Sequence, residues 1–230
     1  TPPSINCPAN ITHTADAGVC TYSFIPATPT ATDNCQGGVT VSGVRSDAAA
    51  LNAPYPFGVT TITWTAKDAS NNTSTCTQTV TVTNTEKPVI VNLPASFTIN
   101  ALNNNCSNLV GWTKPTATDN CGVASIVSND LTFEALGYSL LSVGVNTITY
   151  TATDIHGNTT TASFTITIVD TQVPIITGCP GNMTVNAAAG RCDNVVNWNP
   201  PTASDNCPGV SLSTDHISGE TFSVGSTVVT

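Results

Sequence analysis

Apolar and polar residues alternate along several stretches of the chain. Residues 79–83 read Thr-Val-Thr-Val-Thr, and residues 165–168 read Thr-Ile-Thr-Ile. Because successive side chains of a strand point to opposite faces, a period of two separates the apolar residues from the threonines. The apolar residues of the shared face are Val80, Val82, Ile166 and Ile168. This pattern predicts strands of an antiparallel sheet with one buried face.

A second alternating stretch precedes each of these. Residues 61–66 read Thr-Ile-Thr-Trp-Thr-Ala and residues 147–152 read Thr-Ile-Thr-Tyr-Thr-Ala, and we expect the rings of Trp64 and Tyr150 to face the core. Turn-forming residues at 68–72 separate the stretch 61–66 from the stretch 79–83, which predicts a hairpin. The chain shows no helical periodicity of useful length. Short strands punctuated by Gly, Pro and Asn favour an all-β, immunoglobulin-like antiparallel β-sandwich.

The chain repeats itself with an offset of 86 residues and no gap. The motif Thr-Ala-Thr-Asp-Asn-Cys at residues 30–35 recurs at 116–121, and a third copy begins near Val173. A unit of this length can bury its own core, so the repeat indicates tandem modules rather than a solenoid. We predict three modules: residues 1–86, residues 87–172, and residues 173–230, the last of which lacks its C-terminal strands.

The second copy identifies one pair of bonded cysteines. Cys7 and Cys76 of the first copy are replaced together by Leu93 and Ala162 in the second. Losing one member of a disulfide leaves a free thiol, and the double replacement therefore predicts that Cys7 and Cys76 are partners. Their bridge would close a loop of about 70 residues and contribute roughly 4 kcal/mol in the loop-entropy description.

The other cysteines recur in pairs, which we expect to bond within each module. The predicted bridges are Cys20–Cys35, Cys106–Cys121 and Cys192–Cys207. Cys179 corresponds to Cys7, and its partner is expected beyond Thr230, because the third copy stops before the equivalent of Cys76. We expect the chain to continue there, since a sandwich without its last strands exposes unpaired edges. The alternative is that another subunit donates the missing strand, which would make the protein a self-assembling filament subunit.

Composition places the chain outside the cell. Nine cysteines in a regular framework, with one Met, indicate an oxidising compartment. Zinc fits poorly, because the chain has no Cys-x-x-Cys and its three histidines occupy non-equivalent positions in the copies. A net charge of −9 and a pI near 4.3 disfavour nucleic acid. No apolar run is long enough for a membrane span. Only 8% of residues are charged, which suits self-packing fibres, glycan-carrying proteins or protease-resistant secreted domains.

Several motifs of the first copy occur together in a fixed order. They are Pro2, the Cys-Pro pair at Cys7, the Asp-Asn-Cys motif ending at Cys35, Gly58, and Trp-Thr-Ala-Lys-Asp beginning at Trp64. This combination resembles the hyalin repeat (HYR) family. The resemblance covers two full copies and about two-thirds of a third. It implies immunoglobulin-like extracellular modules, found in tandem in adhesive and matrix proteins and in large secreted bacterial proteins, without catalytic activity.

Acidic residues recur in equivalent turns, and they have two interpretations. Carboxylate, amide and carbonyl oxygens are the ligands that calcium prefers, so a calcium site is one hypothesis. The other is an Asx-turn, in which each carboxylate accepts N–H groups of its own chain. The absence of a dense Asp-x-Asp-x-Asp spacing favours the Asx-turn. The residues concerned are Asp33, Asp68, Asp119, Asp154 and Asp205. We predict no other cofactor.

Candidate glycosylation sites and exposed aromatic residues complete the survey. Sequons predict N-linked sugars at Asn10, Asn72, Asn158 and Asn182. Trp112 and Trp198 are equivalent and could stack on sugars, which supports a glycan-binding or accessory module as the alternative function. More often such a Trp belongs to the core of the sandwich.

The sequence favours a mechanical function over an enzymatic one. No histidine recurs, and the chain has neither Gly-x-Ser-x-Gly nor a phosphate-binding loop. We predict a non-enzymatic extracellular or cell-surface protein, a segment of a fibre, filament or matrix. Its expected partners are copies of itself, other extracellular proteins or glycans, with no nucleic acid and no membrane span in this segment.

Overall fold

The computed structural model describes residues 1–35 and 37–230 and is almost entirely β-structure. The strands of the first copy are β1 (Ser4–Asn6), β2 (Ile11–Thr14), β3 (Thr21–Tyr22), β4 (Thr30–Thr32), β5 (Thr40–Arg45), β6 (Tyr55–Pro56), β7 (Gly58–Lys67) and β8 (Thr73–Thr83).

The second copy repeats this series. Its elements are β9 (Val89–Val91), β10 (Phe97–Asn100), β11 (Ser107–Val110), β12 (Thr116–Thr118), β13 (Val123–Ser128), α1 (Leu131–Leu136), β14 (Ser139–Ser142), β15 (Gly144–Asp154) and β16 (Thr159–Val169). The third copy has β17 (Ile175–Thr177), β18 (Asp193–Val195), β19 (Thr202–Ser204) and β20 (Thr221–Ser223).

Each of the first two copies has one four-stranded sheet. The order is β2-β8-β7-β5 in the first copy and β10-β16-β15-β13 in the second. The predicted hairpin is the centre of the first sheet, where β7 and β8 pair antiparallel from Gly58–Val82 to Lys67–Thr73. Two short antiparallel pairs, β1 with β4 and β3 with β6, complete the first copy. The all-β sandwich fold agrees with the sequence prediction.

One edge strand of each sheet runs in an unexpected direction. β2 pairs parallel with β8, and β10 pairs parallel with β16, although the sequence predicts an antiparallel sandwich. The first strand is interrupted at Pro8, which has no N–H to donate to a ladder, and the chain changes sheets there without reversing its direction. The chain pairs with β4 before this break and with β8 after it, so it contributes to both layers.

The core of the first copy lies between its sheets. Its buried members are Tyr55, Ile62, Trp64, Val80 and Val82. Trp64 is 1% exposed, and its Nε1 donates to Gln78 Oε1 at 3.3 Å. The alternating pattern of residues 79–83 thus has the buried face that it predicts.

The second copy buries the equivalent positions. Tyr150, Ile166 and Ile168 are all at most 1% exposed, as the alternation predicts. Trp112 stacks on Phe133 with ring centroids 3.9 Å apart, and its edge meets Phe164 at 5.8 Å.

The short helix α1 is absent from the sequence prediction. Six residues are too few to show a helical period, and the helix is fixed by its ends. Asp130 Oδ1 accepts the N–H of Phe133 at 3.0 Å, which caps the first turn. Gly137 has a φ of 79°, and its N–H donates to Phe133 O at 2.8 Å, which ends the helix.

Contacts divide the chain into two compact units. The first unit comprises Thr1–Pro94, Lys114–Asn129 and Thr149–Ser163, and the second comprises Ala95–Thr113, Asp130–Ile148 and Phe164–Thr230. Segments of the second copy belong to both. The first unit therefore contains the junction of copies one and two, and the second contains the junction of copies two and three. The predicted boundaries near residues 86 and 172 stay a prediction.

Candidate functional site: the junctions between modules

Three disulfides join the described cysteines, and two of them connect consecutive copies. They are Cys7–Cys76, Cys20–Cys121 and Cys106–Cys207. The first is the pair that the double replacement predicts. The other two have the same sequence separation of 101 residues, so they are one bridge made twice. Cys35, Cys179 and Cys192 are free and exposed.

The predicted bridges within modules are wrong. Cys20 bonds to Cys121 instead of Cys35, and Cys106 bonds to Cys207, which leaves the proposed Cys106–Cys121 and Cys192–Cys207 pairs unformed. In a repeat, a bond inside each copy and a bond to the next copy leave the same cysteine spacing. The sequence comparison alone therefore does not separate them.

Strand β7 explains why Cys20 does not reach Cys35. The Cys20 carbonyl accepts the N–H of Phe57, directly before β7 begins. Cys35 lines a small cleft with Asp68, directly after β7 ends. Ten residues at about 3.3 Å each separate the two ends of this strand by roughly 30 Å. A disulfide needs Cα atoms about 4.4–6.8 Å apart, so the two cysteines face opposite ends of the module.

Side chains around the Cys20–Cys121 bridge hold the first junction. Asn120, beside Cys121, donates from Nδ2 to the carbonyl of Val19, beside Cys20, at 2.9 Å. The N–H of Gly18 donates to Glu86 Oε2 at 3.1 Å. Gly18 has a φ of 74°, a conformation that glycine adopts without strain. The disulfide and both hydrogen bonds converge on one loop.

Asp154 forms a second contact of the same junction. Its residue is 1% exposed, and Oδ2 accepts Nδ2 of Asn84 at 2.9 Å and Nδ2 of Asn158 at 2.7 Å. Oδ1 accepts the N–H groups of His156 and Asn158 at 2.9 and 2.8 Å. Burial raises the pKa of this carboxyl, but the hydrogen bonds from Asn158 and His156 outweigh it and hold the pKa below its usual value of 3.8.

A ring contact lies next to this carboxylate. His156 meets Phe57 with ring centroids 3.6 Å apart. Phe57 follows the strand that pairs with β3, so the ring belongs to the same end of the first module as Cys20. The junction thus combines a disulfide, an amide–carboxylate contact and an aromatic contact.

The second junction repeats the first. Asn206 donates from Nδ2 to the carbonyl of Asn105 at 2.9 Å, as Asn120 does to Val19. The N–H of Asn104 donates to Gln172 Oε1 at 2.8 Å, as Gly18 does to Glu86. Asn104 has a φ of 60°, matching that of Gly18. These contacts recur at an offset of 86 residues, and the junction is therefore part of the repeat.

Four of the five recurring aspartates form Asx-turns, the interpretation that the sequence favours. Asp33 accepts the N–H of Cys35 at 2.7 Å, and Asp119 accepts that of Cys121 at 2.8 Å. Asp68 accepts the N–H groups of Ser70 and Asn72. Asp205 differs, because its Oδ1 accepts the N–H of the next residue, Asn206, and not of the residue after it. The described residues contain no group of three or more His, Cys, Asp or Glu arranged around a metal. Calcium at these turns stays a prediction.

The sequon asparagines differ in what their amides do. Nδ2, the atom that carries an N-linked sugar, donates to Asp68 in Asn72 and to Asp154 in Asn158. Asn10 instead uses Oδ1, which accepts the N–H of Thr79 at 2.9 Å, and Asn182 is exposed. Glycosylation therefore stays a prediction that Asn10 and Asn182 fit better than the other two.

The two equivalent tryptophans are half-buried. Phe133 covers one face of Trp112, while Trp198 lies against Phe222 at a tilted angle with centroids 6.0 Å apart. One face of the Trp112 indole is thus packed inside its module, which is the structural use of such a ring. The glycan-binding alternative stays a prediction.

Sequence reasoning missed the residues that join the modules. Asn120 and Asn206 belong to the recurring Asp-Asn-Cys motif, and Glu86 and Gln172 occupy equivalent positions before each proline-started copy. Their recurrence was visible in the sequence. Their function was not, because the contacts cross from one copy to the next.

Comparison with known proteins gives three consecutive family matches. Residues 1–82, 83–168 and 169–230 each match the HYR domain model. Hyalin of Strongylocentrotus purpuratus is 32% identical over 233 residues, which cover 98% of this chain and 18% of hyalin. The serine-rich adhesin for platelets of Staphylococcus aureus (strain MSSA476) is 31% identical over 157 residues, which cover 60% of this chain and 7% of the adhesin.

Solved structures give only a distant likeness. The extracellular cadherin domains 1–5 of protocadherin gamma B2 match with a TM-score of 0.37 at 16% identity, over 96% of this chain and 53% of the other. A score of this size carries no argument about function.

The fold and its bridges define a tandem array of disulfide-linked β-sandwich modules. Since the family matches span the chain, it belongs to the HYR family. It is an extracellular or cell-surface protein. Among the described residues, no helix has the length and apolar character needed to cross a membrane. The chain spans less than a fifth of the length of the hyalin that it matches.

Proposed function

We propose that this chain is a non-enzymatic structural and adhesive segment of an extracellular fibre or matrix protein, in which bridges between modules limit extension under load. Its relatives support the adhesive part, because they include a hyalin and an adhesin for platelets. The observation that carries the mechanical part is the pair of bridges Cys20–Cys121 and Cys106–Cys207.

These bridges shorten the covalent path through the chain. A pull on the two ends passes from residue 20 to residue 121 through the first bridge, then back to residue 106 and through the second bridge to residue 207. Most of each module lies outside this path. Only the 15 or so residues between Cys106 and Cys121 carry the load through the second copy.

The bridges greatly reduce the length to which the chain can be stretched. At about 3.5 Å per residue, the bridged path of roughly 60 residues stretches to about 200 Å. Without bridges, all 230 residues would stretch to about 800 Å. A module that unfolds under force therefore adds little length, and the bridges keep its segments together so that it can refold.

The junction contacts serve the same purpose before any module unfolds. Asn120 and Glu86 hold the loop that carries Cys20, and Asn84 ties the linker to the buried carboxylate of Asp154. The polar residues that recur between copies thus have a structural use in turns and junctions.

Single-molecule stretching tests this function. We expect the Cys106→Ser/Cys207→Ser variant to reach a contour length about 70 residues, or roughly 250 Å, longer than that of the unsubstituted protein. The Cys7→Ser/Cys76→Ser variant is the matched control, because its bridge lies outside the shortest path and its loss leaves the maximum length unchanged. Equal contour lengths for all three proteins would show that the bridges carry no load.

A further inference from the structure

Two of the free cysteines are the unused halves of the bridge that joins the modules. We propose that the Cys192 loop binds the Asp-Asn-Cys turn of a following HYR module, and that the Cys35 turn binds the cysteine loop of a preceding one, each contact closing a further disulfide. This inference rests on the proposed structural function and extends it from the chain to its neighbours. The partner is another HYR module.

The loop at Cys192 already has the conformation of the two loops that form bridges. In all three, the carbonyl of the cysteine accepts an N–H from the end of the neighbouring strand, donated by Phe57, Val143 and Val224 to Cys20, Cys106 and Cys192. The distances are 3.2, 3.1 and 2.9 Å. Cys192 is therefore placed on its module as its two bonded equivalents are.

The turn before the cysteine also matches. The N–H groups of Val19, Asn105 and Arg191 donate to the carbonyls of Asp16, Leu102 and Ala188, at 3.2, 3.0 and 2.9 Å. The residue two positions before the cysteine has a positive φ in each loop, 74° at Gly18, 60° at Asn104 and 74° at Gly190. The carbonyl of Arg191 thus occupies the position from which Val19 and Asn105 accept an asparagine amide.

The turn at Cys35 matches the bonded turn at Cys121. The Cys35 N–H donates to Asp33 Oδ1 at 2.7 Å, and the Cys121 N–H donates to Asp119 Oδ1 at 2.8 Å. Asn34 occupies the position of Asn120, whose amide crosses the first junction. Both Cys35 and Cys192 are exposed, so a neighbouring module can reach either.

The two halves are complementary rather than identical. Each bridge in the structure joins a loop cysteine of one module to a turn cysteine of the next, with a separation of 101 residues both times. Such a head-to-tail contact leaves one unpaired half at each end of the chain, at which a further module can be added. The turn cysteine Cys35 therefore pairs with a loop cysteine, and the loop cysteine Cys192 pairs with a turn cysteine. Two copies of this chain carry the two halves of one further junction.

Bridge formation requires an oxidant, for which we propose a small-molecule disulfide such as oxidised glutathione. The Cys192 thiolate attacks one sulfur of glutathione disulfide and releases one glutathione thiolate. The Cys35 thiolate of the partner then attacks the mixed disulfide and releases the second. Two protein thiols are oxidised, one glutathione disulfide is reduced to two glutathiones, and the two protons leave with them.

The test uses a second copy of this chain as the probe, with Cys179→Ser throughout so that the third free thiol takes no part. In glutathione redox buffer, we expect the parent to form covalent multimers in steps of 23.6 kDa. The Cys35→Ser and Cys192→Ser variants should each remain monomeric, while their mixture should form a covalent dimer and nothing larger. Peptide mapping should find Cys35 joined to Cys192.

Other results would overturn the proposal. Dimers that form as readily in each variant alone as in the mixture would show unselective thiol pairing, and an absence of multimers in the parent would show no recognition. An Asn34→Ala variant separates docking from thiol chemistry. We expect it to slow dimer formation several-fold while Cys35 reacts with a small thiol reagent at an unchanged rate.

Two further measurements are needed. One identifies the native partner of Cys192, and the other separates a failure of this inference from a failure of the proposed function. In protein from its native source, a Cys192 joined to the turn cysteine of any HYR module supports the proposal, whereas a free Cys192 contradicts it. Stretching of the single chain is unaffected by Cys35 and Cys192. A failure of multimer formation with the expected contour lengths would therefore reject this inference and leave the mechanical function standing.

Discussion

Trp64 packs so closely on strand β5 that its neighbour must be glycine. A Cβ placed on Gly43 would lie 2.7 Å from Cζ3 and 2.8 Å from Cε3 of the indole. The ring is 1% exposed in the core of the first module and has no room to move aside.

We therefore expect Gly43→Ala to lower the free energy of unfolding by about 1–3 kcal/mol through overpacking. Gly181→Ala is the matched control, because nothing lies within 4 Å of the added methyl group and the backbone there is not left-handed. Urea denaturation measures both. An unchanged midpoint for Gly43→Ala would mean that the indole moves without cost.

Arg45 is a buried cation with a complete set of partners. Its guanidinium donates to Asp47 at 2.6 and 2.9 Å and to the carbonyls of Ala50, Ala53 and Pro54. Its Cζ also lies 3.8 Å over the Tyr55 ring. A lysine ammonium has neither the planar fork nor the reach to satisfy these groups together.

We expect Arg45→Lys to cost about 2 kcal/mol of stability, measured by the thermal midpoint, since carbonyls and a carboxylate lose bonds to a charged donor. Arg191→Lys is the control, because Arg191 is 63% exposed in its ion pair with Asp193 and such a pair contributes about 0–1 kcal/mol. Equal effects at both positions would contradict the role of burial.

The turns at Asp68 and Asp154 are equivalent in the repeat but have different surroundings. Asp68 and Asp154 accept the same three bonds from their own turns, but only Asp154 also accepts the amide of Asn84. In Asp68, the hydrogen bond from Asn72 is the main reason that the pKa lies below 3.8. Both carboxyls thus stabilise the fold in their charged form.

A carboxyl whose pKa is lower in the folded state contributes stability above about pH 3.8, and this contribution is lost as the pH falls through the folded pKa. We expect stability to decline below about pH 4 and the decline to be shallower in Asp154→Asn. At neutral pH this variant should lose about 2 kcal/mol, because its amide nitrogen faces two donors.

Asp68→Asn is the control for this element. It should weaken the first module while leaving the junction intact, as judged by the rate at which dithiothreitol reduces Cys20–Cys121. If both variants reduced that bridge at the same rate, the Asn84–Asp154 contact would have no role in the junction.

For the secondary-structure elements, the sequence predicted the central strands of each sheet well and the elements at the edges of the sheets poorly. Alternation identified β7, β8, β15 and β16, because both faces of a central strand have a fixed environment. The parallel pairing of β2 and the short helix α1 depended on partners remote in sequence and on two capping residues.

At the scale of the whole molecule, the recurring turns could be stabilised by a cation or by their own backbone. The described carboxylates accept N–H groups, and Asp154 uses both oxygens. We therefore expect a chelator to leave the thermal midpoint unchanged. A clear decrease would instead indicate a cation at the turns where Asp33 Oδ2 and Asp119 Oδ2 are buried without a hydrogen-bond partner.

The sequence by itself determined the repeat, the β-sandwich fold and the Cys7–Cys76 pair, because each leaves a pattern within one copy or a difference between copies. Only the tertiary structure decided the direction of the other bridges. Bonding inside a module and bonding to the next module give identical spacings along the chain. The length of β7 separates the two, since it places Cys20 and Cys35 at opposite ends of their module and turns each toward a neighbour.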